Sequence, residues 1–311
     1  METFLHSVSS VTVILLLTAA GYCCSALGWI GPDAKSFLSK YTMRLALPVM
    51  CAYSLRTNLT RELLAQSGRA LLVPVFCSVL MLTISYLAGR LMRLPRKSLG
   101  VFIMMSSLSN SMFIGYAMCY ELFGEACTPY VMIYYLVNTS FVQMVGLTLI
   151  RWSGESGRHS FAQSVAAFFK TPPVIGVLVG AALVLFDLHP PAVIMSCAKY
   201  INNTVTPMAL LLAGHIIREI GIRNIRIDAK LGISMLLRFL VSPAMSLLMC
   251  ALLGVGGLAR GVLAVEAAMP VVTMTVVAAA EYHADEQFAA QGVALSTLAC
   301  FVVTPILMML L

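Results

Sequence analysis

The chain has 311 residues, 60% of them hydrophobic and only 11% charged, and a mean hydropathy of +0.92. A water-soluble domain is roughly 25% charged, so this composition excludes an ordinary soluble protein and requires an integral membrane protein. The net charge of +7 does not indicate nucleic acid, because the basic residues sit between apolar runs, where orientation in the bilayer accounts for them.

A spanning helix takes about 20 apolar residues. Ten such runs can be placed in chain order, at about 5–30, 36–56, 70–92, 97–121, 128–151, 172–188, 191–217, 229–254, 258–281 and 288–311. This predicts an all-α membrane fold with short connections. No Lys or Arg precedes Lys35, so the first run is expected to be a retained helix rather than a cleaved signal. The nine cysteines lie mostly inside apolar runs without metal or disulfide spacing, as expected of small packing residues.

Loop charge predicts orientation. The odd-numbered loops carry 14 Lys and Arg and the even-numbered loops 5, with Arg238 inside the eighth run. Positive residues stay inside, so the odd loops are expected in the cytoplasm and both termini outside. Five spans per half is an odd number, so two like halves in series must be inverted relative to one another. The expected division is a first five-helix repeat at 1–151, a cytoplasmic linker at 152–171 and a second repeat at 172–311.

Two runs are interrupted at matching places. The fourth, Leu99 to Glu121, is broken by Ser106, Ser107, Ser109, Asn110, Ser111 and Gly115; the ninth, Gly261 to Glu281, by Glu266, Pro270, Thr273 and Thr275. A shift of about 160 positions places Asn110 on Pro270 and Glu121 on Glu281. Pro48 and Pro207 also fall mid-span in the second and seventh runs, and Pro74 and Pro243 in the third and eighth. An interrupted helix in each half of a repeated membrane protein points to a transport site, since backbone freed from a helix at membrane depth must line a cavity or be buried in protein.

The stretch Leu108-Ser-Asn-Ser-Met-Phe-Ile-Gly115, followed by Glu121-Leu-Phe-Gly124, resembles the fourth helix of the auxin efflux carrier family. Glu266-Ala-Ala-Met-Pro270, Ala279-Ala-Glu-Tyr282, Ser296-Thr-Leu and Pro305 resemble its ninth and tenth helices. Leu45-Ala-Leu-Pro48 and Thr206-Pro-Met-Ala-Leu-Leu-Leu-Ala-Gly214 resemble the second and seventh. The resemblance implies ten helices in two inverted five-helix repeats, with the fourth and ninth crossing at their breaks. It also implies a transport domain moving against a scaffold in an elevator-like cycle, and a homodimer through the first and sixth spans. The short connection between the fifth and sixth runs resembles the bacterial permeases for malate and malonate, in the inner membrane, rather than the plant exporters. Ser109, Ala117 and Thr275 stand where family members have prolines, which makes auxin a poor candidate substrate and leaves the fourth helix without a proline to force its break.

Neutral amides and hydroxyls suit a carboxylate that must bind and then leave. The candidate substrate contacts are therefore Asn110 with its neighbours Ser109 and Ser111, and Pro270 at the crossover. Thr273 and Thr275 follow it, and Pro48 in the second span and Asn138 in the fifth complete the set. Glu266 is a candidate proton carrier, because desolvation at mid-span favours a neutral carboxyl; pairing with Arg238 is the alternative. The acidic ninth loop (Glu281, His283, Asp285, Glu286) reads as solvated rather than as a metal site. No zinc-protease motif, phosphate loop or nucleophile elbow is present, so no cofactor and no enzyme activity are expected. The expected function is secondary transport of a small organic anion, with proton or sodium coupling. A sodium-coupled carrier resembling the bile-acid symporters is one alternative and a membrane receptor another.

Overall fold

The computed structural model describes residues 2–58, 61–154, 165–166, 168–221 and 227–311. The middle of the expected linker, with Arg158 and His159, and the basic residues Arg223 and Arg226 lie outside the described residues, as do the side chains of His6 and Arg61.

The described chain is helical, apart from a single isolated bridge between two extended residues. In order the elements are α1 (Glu2–Ala26), α2 (32–58), α3 (Arg61–Leu91), α4a (Arg96–Ser107), α4b (111–123) and α5 (Glu125–Ser153). There follow α6 (Pro172–Leu185), α7 (Ala192–Ile220), α8 (Ala229–Leu253), α9a (Gly257–Ala267), α9b (Met274–Glu281) and α10 (Glu286–Met308). Their ends follow from local chemistry. Pro172 opens α6 at a position that needs no amide donor. Asp228 accepts from Leu231 N (2.9 Å) at the start of α8, and Asp285 from Phe288 N (3.1 Å) at the start of α10. Gly124 ends α4b at φ +69°, ψ −169°, a conformation open essentially only to glycine.

Among the described residues four helices are long and apolar enough to cross a membrane: Gly68–Leu91, α5, α8 and α10. The fourth and ninth elements fall short because each is divided. The 12 residues of α4a reach about 18 Å at 1.5 Å per residue, short of a hydrocarbon core of about 30 Å. Large apolar side chains face outward from several helices, among them Leu87 on α3, Leu178 on α6, Val193 on α7 and Leu252 on α8. That is the pattern of a multi-pass membrane protein.

The helices pack in two groups. In the first, a panel, α1 lies along α7 and α2 along α6, with α2 also against α7. Glycine lets these backbones approach closely. A Cβ on Gly214 of α7 would sit 2.0 Å from Thr18 O of α1, and one on Gly176 of α6 2.3 Å from Pro48 O of α2. Small residues at crossings are the usual means of close helix packing in lipid. In the second group α3 packs on α4a, α5 and α8, α8 on α9a, α5 on α4a, and α10 on α9b. A buried cluster that includes Met81, Phe102, Met105, Val271 and Phe288 fills it.

Candidate functional site

The fourth helix is broken, with no proline at the break. Leu108 is extended (φ −114°, ψ 133°) and Asn110 leaves the helical region (φ −82°, ψ 67°) before the chain resumes with a π turn at Ser111–Gly115. The ninth helix is interrupted over the residues between Ala267 and Met274. The two breaks meet: Ser109 forms an antiparallel bridge with Val271, and Asn110 N donates to Pro270 O at 2.8 Å. Proline at 270 leaves no amide hydrogen to satisfy, while its carbonyl supplies the acceptor.

In a bridge of this kind the N–H and C=O of the residue opposite its partner point away from that partner. For Ser109 they point at Asn138 of α5. Asn138 Oδ1 accepts from Ser109 N (3.1 Å), and Asn138 Nδ2 donates to Ser109 O (2.8 Å) and to Ser111 Oγ (3.3 Å). Ser109 Oγ donates to the Tyr134 hydroxyl (3.2 Å), one turn earlier on α5. On the other side of the bridge Val271 N donates to Ser296 Oγ of α10 (3.0 Å), whose own hydrogen goes to Val293 O. Each break is thus held by a polar side chain from the helix that follows it. Before the break, Ser106 and Ser107 meet Ser234 of α8 and Ser85 of α3 at 3.0 Å each.

The end of α9a carries its own cation. Arg238, fully buried on α8, donates through its terminal nitrogen to Ala267 O (2.8 Å), and Ser242 Oγ donates to the same carbonyl (3.0 Å). A positive charge is favourable at a helix C-terminus, where carbonyls are left unpaired. Arg238 makes no ion pair with Glu266. The Glu266 side chain, also fully buried, points toward α4b: Cys119 Sγ donates to Oε1 at 3.6 Å, and Oε2 has no hydrogen-bond partner. A Cβ at Gly115 would lie 2.5 Å from that free oxygen, so glycine there makes room for the carboxyl.

A cavity of about 310 Å³ opens beside the crossing, between α2 and α7 of the panel and α4b, α9b and α10. Of the residues singled out from the sequence, Asn110 and Thr273 line it, and they are hydrogen-bonded to each other, Asn110 Nδ2 to Thr273 Oγ1, at 3.2 Å. Ser109, Ser111, Asn138 and Pro270 belong to the crossing and hold its shape. Thr275 is buried off the cavity with its hydroxyl unpartnered. Pro48 lies at the α2–α6 contact, its carbonyl against Gly176, and Glu266 sits behind the crossing. In the sequence Ser296 and Thr297 stand out only as part of a family-like stretch, and no site role is assigned there to them, to Arg238 as a helix cap, or to the cavity residues Lys35 and Glu219. Ser296 follows Val271 by 25 residues and Asn138 follows Ser109 by 29, a parallel consistent with the repeat pattern.

The acidic ninth loop is a structural clamp. Asp285 accepts from Ser98 Oγ of α4a and from Lys230 Nζ of α8 (3.0 Å), and Asp285 N donates to Lys97 O. Burial alone would raise its carboxyl, but the hydrogen bonds from Ser98 and Lys230 outweigh it and hold the group below the usual aspartate range. Arg151 of α5 donates to the Tyr282 hydroxyl (2.6 Å) and lies over its ring. Among the described residues no group of three or more His, Cys, Asp or Glu is placed to hold a metal.

A model of the family described as "Membrane transport protein" matches residues 6–308. An uncharacterized transporter of Methanothermobacter thermautotrophicus is 27% identical over 306 residues, covering 97% of this chain and 98% of the relative. A second, from Methanocaldococcus jannaschii, is 24% identical over 292 residues, covering 92% and 93%.

Proposed function

Because the chain belongs to the auxin efflux carrier family of membrane transport proteins, we propose that it is a secondary transporter of a small organic anion, a mono- or dicarboxylate. It would work by alternating access around the crossing of α4 and α9. The observation that carries this reading is the meeting of two broken helices, Ser109 against Val271, at the edge of a cavity lined by Asn110 and Thr273. The Asn110 amide offers a neutral donor at the wall of the cavity, which suits a carboxylate.

The proposed architecture is ten spans in two inverted repeats, 1–151 and 172–311. Several packing pairs exchange when the halves are swapped, in support of this: α1 on α7 with α6 on α2, and α3 on α4a with α8 on α9a. The panel of α1, α2, α6 and α7 would be the scaffold, and the other eight elements, from α3, α4a, α4b and α5 to α8, α9a, α9b and α10, the moving group. The odd-numbered loops would face the cytoplasm. Glu266, buried behind the crossing with one oxygen unpartnered, is the proposed site of proton coupling.

The test is uptake of labelled malate, within a panel of carboxylates, into proteoliposomes with and without an imposed proton gradient. Saturable uptake that is lost in Asn110→Ala is expected, with proton stimulation alone lost in Glu266→Gln. Uptake unchanged in Asn110→Ala would remove the crossing from the substrate path, and no uptake of any carboxylate would overturn the anion reading.

A further inference from the structure

The cavity has one ion pair, and it lies on the panel side. Among the described residues that line it, Lys35 is the only cation and Glu219 the only anion. They come from different helices, the start of α2 and the end of α7, and their charged atoms are 2.5 Å apart. The two side chains are 39% and 53% exposed, and pairs this open to solvent are weakly held. Ser39 and Met43 follow Lys35 at four-residue steps along α2, and all three line the cavity, so Lys35 heads a stripe that runs from the rim into the interior. The rest of the wall is largely apolar, apart from Asn110, Thr273 and Thr297 at the crossing side.

From this juxtaposition we infer that Lys35 is the residue on which an entering anion docks, and that Glu219 is its built-in competitor. The inference rests on the anion reading of the cavity. The Glu219 carboxylate occupies Lys35 as a ligand carboxylate would. An anion at the rim displaces Glu219 and gains a charge-assisted hydrogen bond. Because Lys35 and Glu219 both belong to the panel, and Asn110 and Thr273 to the other group, an anion carried with the crossing must leave Lys35 behind. Glu219 then retakes the ammonium, so the cation is never left bare and the anion is not trapped at the rim. The pair therefore exchanges strength of binding for speed of release.

Two measurements on the full-length protein test this. In the first, purified protein is acetylated with an amine-reactive ester, and modification of Lys35 is followed by peptide mass spectrometry. Acetate, benzoate, malonate and malate are compared with chloride at equal ionic strength, and exposed Lys199 serves as the control. Carboxylates are expected to slow acetylation of Lys35 several-fold and to leave Lys199 unchanged, with shielding in Glu219→Gln at about threefold lower concentration. In the second, uptake kinetics are compared between variants. Lys35→Gln is expected to raise the half-saturating concentration about tenfold, whereas Glu219→Gln lowers it about threefold and lowers the maximal rate.

Opposite effects of the two single variants support docking. Equal impairment by both, with recovery when Lys35→Glu and Glu219→Lys are combined, would make the pair a brace and overturn the inference. So would the absence of shielding by any carboxylate in both wild type and Glu219→Gln. Shielding of Lys35 without uptake of any carboxylate would leave the docking site standing while the transport reading fell.

Discussion

The side-chain amide of Asn138 does for Ser109 what a neighbouring strand does in a sheet: it takes both the N–H and the C=O. Its three hydrogen bonds all go to the crossing, which makes it a positioning residue and leaves Asn110 as the amide that faces the cavity. Asn138→Ala is expected to cost about 1–3 kcal/mol for each buried group left unpaired, read as a lowered midpoint of thermal unfolding in detergent. Asn138→Asp is expected to be no better, because a carboxylate can accept from Ser109 N but presents only acceptors to Ser109 O. Both asparagines stood out in the sequence as amides inside apolar runs. Which faces the cavity and which supports the crossing depended on the pairing at Ser109, which lies between residues 162 positions apart and leaves no local pattern.

At the scale of elements, the breaks were legible and their support was not. The serine-rich fourth run and Pro270 marked both interruptions, and a proline proved unnecessary at the first because Val271, Pro270 and Asn138 together satisfy the freed backbone. Arg238 capping Ala267 joins two helices that share no sequence motif, and the ninth-loop acids, which suggested solvated charges, include the clamp residue Asp285. That clamp ties the ends of α4a, α8 and α10. Its carboxyl titrates below the ordinary aspartate range in the folded protein, so it stabilises fully above about pH 4. The contribution is lost as pH falls through the lower folded value. Asp285→Asn is therefore expected to lower the unfolding midpoint by a constant amount between about pH 5 and 8, and the gap from wild type to close under more acidic conditions. A gap that widened on acidification would contradict the clamp.

Across the whole molecule glycine sets close helix approaches, at Gly176 and Gly214 in the panel and at Gly100 between α4a and α5, while the crossing adds polar contacts through the interior of the second group. Composition and run lengths placed most helix ends to within a few residues, but α3 begins at Arg61, nine residues before the expected start at 70. The grouping into panel and crossing bundle was hidden, since the close approaches at Gly176 and Gly214 appear in sequence only as small residues in apolar runs. Pro48 shows the difference: mid-span, it was expected near the pocket, yet its carbonyl lies where a Cβ on Gly176 would go. Gly176→Leu is expected to force α2 and α6 apart and to reduce the yield of monodisperse protein, measured by size-exclusion chromatography in detergent. An equally large residue at Gly232, where a Cβ meets nothing within 4 Å, is expected to leave the yield unchanged.

The bridge between Ser109 and Val271 also sets a schedule for synthesis. At about 5–20 residues per second, the 162 residues that separate the partners take the ribosome about 8–30 s. Through that interval Ser109 has no Val271 to pair with. Asn138 arrives only 29 residues after Ser109, within a few seconds at the same pace, and it carries a donor and an acceptor for the open backbone. The asparagine that supports the finished crossing is thus also the first group able to shelter it, and the nascent chain need not wait unprotected for its second half.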